Sequence, residues 1–252
     1  MTYHSDYTRL SSTMLGVYRE SPLLFCKRFI ERSIGDEDTA ALRFGRAAHT
    51  WFLEPDQFWL RYCRDLPGDK RTKAYRLARA VWEQAQAGRE AISFEDEQRL
   101  QAIGQSIASH RELAGLLTGT GEVERVIQFE AEGHPARAKL DKVFPEQGLI
   151  LDLKTARTAN PGEWKWDAKR HGYCHQAAWY MDAATAEWGP RDWTFLFGVL
   201  QAEEPYEVSL VELPRSWVES ARQENYAAVR EIIERKMTGD WRRWHGVTQI
   251  EG

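Results

Sequence analysis

The sequence predicts an α/β (α+β) fold, a central mixed β-sheet flanked by helices with a helical region in front of it. Three observations carry this. Apolar residues recur at helical spacing through the first half of the 252-residue chain, the period changes to two from about residue 121, and a helix, two strands and a last helix follow.

Taken in order, residues 11–32 open on serines suited to capping a helix, and Pro22 fits the first turn of a second one. RFGRAAHTWFLEP, 43–55, reads as a helix ended near Pro55. Residues 69–88 and 93–117 are amphipathic, the latter starting at Ser93 with Glu95 and Asp96 close behind. VERVIQFEAEG, PARAKLDKVF and GLILDLKTA are short runs parted by Gly and Pro turn signals, which predicts an antiparallel meander. A long helix over about 162–187, strands at 193–201 and 206–214, and a helix from about Ser216 to Lys236 complete the plan. No repeat or low-complexity linker divides the chain, so it reads as one domain over 1–252, with a mainly helical region over 1–118 and an αβ core over 119–240.

Composition bounds the function. With 42% hydrophobic and 29% charged residues the chain is globular, and a net charge of −4 from 34 basic and 38 acidic side chains makes no general electrostatic case for nucleic acid or membrane. Such binding has to come from a local cleft. Three scattered cysteines, Cys26, Cys63 and Cys174, match neither a disulfide framework nor a zinc or iron–sulfur spacing. With a polar N-terminus and no uncharged run near 18 residues, the expectation is a cytoplasmic protein with no membrane partner.

GLILDLKTA interrupts its leucines with Asp152 and Lys154. A two-residue or a four-residue loop through PEQG would place Asp141 directly opposite Asp152. Period-two alternation then gathers Arg137, Lys139, Asp141, Ile150, Asp152 and Lys154 on one face, and Ala138, Leu140, Phe144, Leu149, Leu151 and Leu153 on a core face. Opposed carboxylates with Cβ atoms roughly 5 Å apart repel unless something positive lies between them. A divalent cation fits, with the lysine orienting water or neutralising charge; a surface lattice of ion pairs, each giving at most about 1 kcal/mol, is the alternative.

Asp141 followed after ten residues by Asp152-Leu153-Lys154 resembles the D…(D/E)-x-K signature of the PD-(D/E)xK nuclease superfamily, and the element order agrees. HQAAWYMDAA, with Gln176 and Tyr180 one turn apart, is similar to the Q-x-x-x-Y motif of its RecB-like and phage exonuclease branches. FGRAAHTWFLEPDQF resembles the histidine-bearing helix of the RecE, or exonuclease VIII, group, and the likeness runs from about residue 8 to 235. Asp152 stands where many members have glutamate and Leu140 where the name motif has proline; the iron–sulfur cysteines of some relatives are absent.

The resemblance implies that Asp141, Asp152, the backbone carbonyl of Leu153 and His49 hold Mg²⁺, with Mn²⁺ able to substitute, that Lys154 positions or activates the attacking water, and that Gln176 and Tyr180 support the site or touch the substrate backbone. It implies a phage-type exodeoxyribonuclease that degrades linear double-stranded DNA 5′ to 3′ and leaves single strands for recombination. A homo-oligomeric ring, DNA ends as substrate and a single-strand annealing partner go with that role. A RecB-like or CRISPR-associated nuclease, or a non-catalytic DNA-binding module, are the alternatives. Lys70, Arg71, Lys73 and Arg76, and Arg137 with Lys139, are candidate DNA contacts. Glu122 or Glu124 is a candidate distal contact to the site. Trp164 and Trp166, among eleven tryptophans, are candidates either for base stacking or, preferentially, for core or subunit contact.

Overall fold

A computed structural model describes residues 6–242, other than 36 and 87. Its helices are α1 Ser12–Glu20, α2 Pro22–Phe25 running into a π-turn Cys26–Ile30, α3 Ala40–Leu53, α4 Pro55–Arg61, α5 Lys73–Ala85, α6 Phe94–Ser109, α7 Arg111–Thr118, α8 Pro161–Arg170, α9 Tyr173–Trp188 and α10 Arg215–Thr238. Its strands are β1 Tyr62–Arg64, β2 Glu90–Ile92, β3 Glu122–Ala131, β4 His134–Phe144, β5 Leu149–Ala156, β6 Thr194–Gln201 and β7 Val208–Glu212.

Local chemistry sets most boundaries. Ser11, Thr39, Thr72 and Ser93 cap the helices they precede by accepting a backbone N–H, each cap contributing about 1 kcal/mol. Pro55 does not merely end a helix as expected; it occupies the first turn of α4, where its missing N–H costs nothing. The expected helix over 93–117 breaks at His110, whose backbone is extended and whose Nδ1 caps α7 by accepting the Leu113 N–H. The one over 162–187 breaks at Gly172, whose φ of 69° ends α8 and starts α9 in a new direction. The parallel pair β1–β2 was not expected; its strands are three residues long and carry no readable period.

β3 to β7 form one mixed sheet in sequence order. β3–β4–β5 is the expected antiparallel meander, β5 and β6 are parallel across α8 and α9, and β7 returns antiparallel. Both faces are covered, which corrects the reading of one core face and one polar face. One core layer joins α1, α2, α9 and α10 to Ile127, Leu140, Ile150 and Phe197; the other joins α3, α6 and α7 to Leu151, Leu153 and Leu200. Burying each such Leu, Ile or Phe contributes about 1.5–3 kcal/mol, so these layers outweigh the caps in holding the fold. No described helix is long and apolar enough to cross a membrane.

Candidate active site

The site lies where β4 and β5 part. Their ladder pairs Phe144 with Leu149, Val143 with Ile150 and Lys142 with Leu151, across the four-residue loop allowed by the sequence, and there it stops. Asp141 and Asp152 would be the next pair in this register. They are not joined by the ladder, because the Asp141 side chain takes over: its Oδ2 accepts the Leu153 backbone N–H at 2.8 Å. Upstream, the edge of β4 that β5 has left is filled by Leu10, which bridges Ala136, donates to the Pro135 carbonyl and accepts from the Arg137 N–H. A fork results, with Asp141 and Asp152 at its apex, 8% and 1% exposed.

Helices on both faces of the sheet reach into the fork. From α3, His49 donates from Nε2 to the Leu153 carbonyl at 2.9 Å, and its Nδ1 lies 3.3 Å from Asp141 Oδ2. From α9, Gln176 Nε2 donates to Asp152 Oδ1 at 2.9 Å. Asp152 Oδ2 lies 2.5 Å from Lys154 Nζ and has no hydrogen-bond partner otherwise among the described residues. The Lys154 ammonium sits 5.0 Å above the Tyr173 ring, which stacks on buried Trp164. Tyr180, one turn beyond Gln176, packs beside Phe195 with centroids 6.2 Å apart.

Electrostatics divide the two aspartates. Burial is the largest influence on both and would raise them; at Asp141 the His49 imidazolium, the Lys154 ammonium and the Leu153 N–H together outweigh it and hold that carboxyl below its ordinary range. At Asp152 burial dominates and the neighbouring Asp141 charge adds to it, so the group is pushed up to about 6 despite Lys154. Burial opposes charge on His49 and Lys154 as well, but Asp141 lifts the imidazole, and Asp152 with Asp141 lifts the ammonium, above their usual values. The apex is thus a low-dielectric cluster in which the cations are supplied by side chains.

β3 contributes a further carboxylate. The β3–β4 ladder pairs Val123 with Lys142 and Arg125 with Leu140 but omits Glu124, which stands opposite Asp141 with φ at 54°. That left-handed conformation is unfavourable for glutamate, by roughly 1 kcal/mol. Ligand atoms of His49, Glu124 and Asp141 all lie within 4.8 Å of one another. Lys139, on the same strand as Asp141, pairs with Glu124. Three ligand atoms so placed beside the Leu153 carbonyl suit a hard or borderline divalent cation, and the donor set is one imidazole nitrogen among oxygens. Asp152 lies outside this tight group.

Other candidates lie elsewhere. Lys70, Arg71 and Lys73 are exposed at and before the start of α5, Lys70 near Asp65 at 3.5 Å and Arg71 on Asp69 at 3.0 Å. Arg137 is 4% exposed, with its carbonyl accepting from Trp179 Nε1, so it is not presented to an outside phosphate. Trp164 is fully buried and cannot stack on a base, whereas Trp166 is exposed. Glu122 lies 3.5 Å from Arg125, on the surface. Tyr173 was missed in the sequence, although it lies three residues before Gln176 and so shares its face of α9.

A five-stranded mixed sheet with helices on both faces, and an Asp, Asp, Lys cluster where its second and third strands part, defines a nuclease-like domain of the PD-(D/E)xK class. The chain belongs to the family described as PDDEXK-like domain of unknown function (DUF3799), which matches residues 12–243. The match identifies the superfamily and not its RecE group. Among solved structures, a candidate exonuclease from Eubacterium rectale shares the fold at a TM-score of 0.67 and 14% identity, over 95% of this chain and 87% of that one. A phage-related exonuclease from Haemophilus somnus 129PT is 18% identical over 68% of this chain and 91% of that one, at a TM-score of 0.34. No curated protein matches the chain in sequence.

Proposed function

We propose that the chain is a divalent-metal-dependent exodeoxyribonuclease acting at the ends of linear double-stranded DNA, 5′ to 3′. The observation that carries the reading is the fork, where His49, Glu124 and Asp141 converge beside the Leu153 carbonyl while Asp152 and Lys154 share the apex. His49, Glu124 and Asp141 would hold Mg²⁺ or Mn²⁺, with Leu153 and Asp152 completing the contacts. Bound there, the ion would polarise a phosphodiester oxygen and lower the pKa of an attacking water.

The chain's own groups have complementary tasks. Lys154, held above its ordinary pKa, stays an ammonium at neutral pH; it donates, orienting water or meeting charge that develops on the phosphate, and is not a proton acceptor. Without the ion, burial pushes Asp152 up to about 6; a cation beside it would favour its charged form. Gln176 fixes the rotamer of that carboxylate, and Tyr173 supports the lysine from below. Tyr180 would support the site from the turn after Gln176, and Lys139 holds Glu124. The resemblance extends the proposal to a single nuclease unit that assembles into a ring and hands the surviving strand to a single-strand annealing protein.

The test is digestion of linear duplex carrying either a 5′ or a 3′ label, with Mg²⁺ and with Mn²⁺, beside light scattering for the oligomer. Shortening from the 5′ ends, abolished by Asp152→Asn in a folded protein, is expected. Intact duplex and intact single strands with both metals would rule out the enzyme and leave a DNA-binding module. Loss from the 3′ ends would point to another branch of the superfamily.

A further inference from the structure

Helix α8 turns two different tryptophans to opposite sides. Trp164 and Trp166 are two residues apart, about 200° around the helix axis. The inward one, Trp164, is fully buried and stacks on Tyr173 at 5.6 Å, beneath the Lys154 ammonium. Trp166 is 61% exposed. Two ammonium groups flank its ring, Lys165 at 5.2 Å and Lys169 at 5.3 Å from the centroid, and Lys169 also lies 4.0 Å over the half-buried Trp217 at the start of α10.

Helix stability accounts for some of this. Lys169 and Arg170 in the last turn complement the helix dipole, about 0.3–1 kcal/mol each. That leaves Lys165 in mid-helix and a tryptophan whose ring faces water. Neither lysine is ion-paired with a carboxylate among the described residues, while Asp167 is taken by Arg170 at 2.7 Å and Glu163 lies a turn away near the N-terminus. On a chain of net charge −4, an exposed indole flanked by two uncompensated ammoniums is a local exception.

We propose that the outer face of α8, made of Lys165, Trp166 and Lys169 with Trp217 of α10 beside it, is a platform for single-stranded DNA. The inference rests on the nuclease reading. An unpaired base stacks on the Trp166 ring and the adjoining phosphates meet the two ammoniums, a combination that tolerates any sequence. Duplex DNA keeps its bases inside the helix and gains only the charge contacts. The platform lies about one helix diameter from the Tyr173 ring that carries Lys154, so it suits a strand that has been separated near the site.

Fluorescence anisotropy of a labelled oligothymidylate and of a blunt duplex, with the wild-type chain in EDTA so that nothing is cut, tests the proposal. Trp166→Ala is expected to weaken single-strand binding about ten-fold, on the scale of one base–aromatic stack, with Trp166→Phe retaining most of it. Lys165→Ala with Lys169→Ala is expected to reduce the slope of log affinity against log salt by about 1.4, two single-strand phosphate contacts. Duplex affinity should change by less than two-fold in Trp166→Ala. Single-strand binding that matches the wild type in both variants overturns the platform, as does an equal loss for duplex and single strand in Trp166→Ala. The digestion assay above reads the nuclease separately: a chain that cuts duplex but fails this test loses only the platform, and one that binds single strands through Trp166 without cutting loses only the nuclease.

Discussion

Gln176 donates to Asp152 Oδ1 at 2.9 Å while Lys154 takes Oδ2, so the buried carboxylate is divided between a helix and its own strand. The consequence is an oriented group. Asp152 is 1% exposed, and a lone carboxylate at that depth would shed its charge by protonation. With an amide N–H on one oxygen and an ammonium on the other, it keeps one rotamer whether or not it is ionised.

Gln176→Ala removes the amide and leaves the lysine free to pull the carboxylate out of line. Partners of this kind are worth about 10–100-fold in metal affinity or activity. Calorimetric titration with Mn²⁺ and steady-state nuclease rates should both fall in that range. A variant with unchanged Mn²⁺ affinity and unchanged kcat would show that Gln176 does not position Asp152.

Asp152 also sets a pH dependence of stability in the metal-free protein. Its carboxyl is raised from 3.8 to about 6, so the native state binds that proton more tightly than the unfolded chain. The stability this contributes is complete below about pH 4 and is lost as the pH rises through about 6. The loss is on the order of 3 kcal/mol. Asp152→Asn, neutral at every pH, should therefore melt at the same temperature as the wild type near pH 4 and several degrees higher at pH 7–8 in EDTA. An asparagine variant that is less stable at pH 8 would mean that the Lys154 pair outweighs burial.

Much of the architecture was legible because period and turn chemistry are local. The meander and the two late strands follow from alternation and turn residues, while the PEQG loop was left between two and four residues until Gly148, whose φ of 62° closes the turn, settled on four. The fork was not legible. It depends on a side chain, Asp141, accepting a backbone N–H, and on Leu10 arriving from more than a hundred residues away to fill the abandoned edge. Tertiary burial likewise overturned the place of Arg137, which alternation had put on the charged face as a DNA contact, and decided between stacking and core for Trp164. Pro55 does mark the end of α3, at Leu53, but the same ring also starts α4, which the sequence reading had not marked.

Gly198 offers a structural test of the strand itself. It faces Leu153 in the parallel β5–β6 register, and a Cβ there would lie 2.7 Å from Leu153 Cδ2 and 3.1 Å from Leu113 Cδ1. Gly198→Ala forces one of two buried leucines to move and should cost about 1–3 kcal/mol. Because Leu153 lies between Asp152 and Lys154, nuclease rate should fall by more than the loss of folded protein explains. Adding Leu113→Ala makes room on the far side and should restore rate even where it does not restore stability. Thermal melts and rates of the single and double variants check this, and a Gly198→Ala protein with wild-type melting and rate would show that the pocket adapts.

Glu124 separates backbone from side chain. It holds φ at 54° opposite Asp141, a conformation that glycine adopts freely and glutamate does not. A strained residue whose carboxylate reaches the site is expected to trade stability for a ligand. Glu124→Gly should then be more stable than Glu124→Ala by about 1 kcal/mol, since alanine keeps the unfavourable φ and glycine relieves it. Both variants lose the carboxylate, so both should bind Mn²⁺ more weakly by similar factors, about 10-fold or more. Lys139→Met tests the same group from the other side: with its ion-pair partner gone, Glu124 is freed for the cation, and Mn²⁺ affinity should rise. Wild-type Mn²⁺ affinity in both Glu124 variants would exclude the residue from the metal site and leave its φ as a feature of the β3 bend alone.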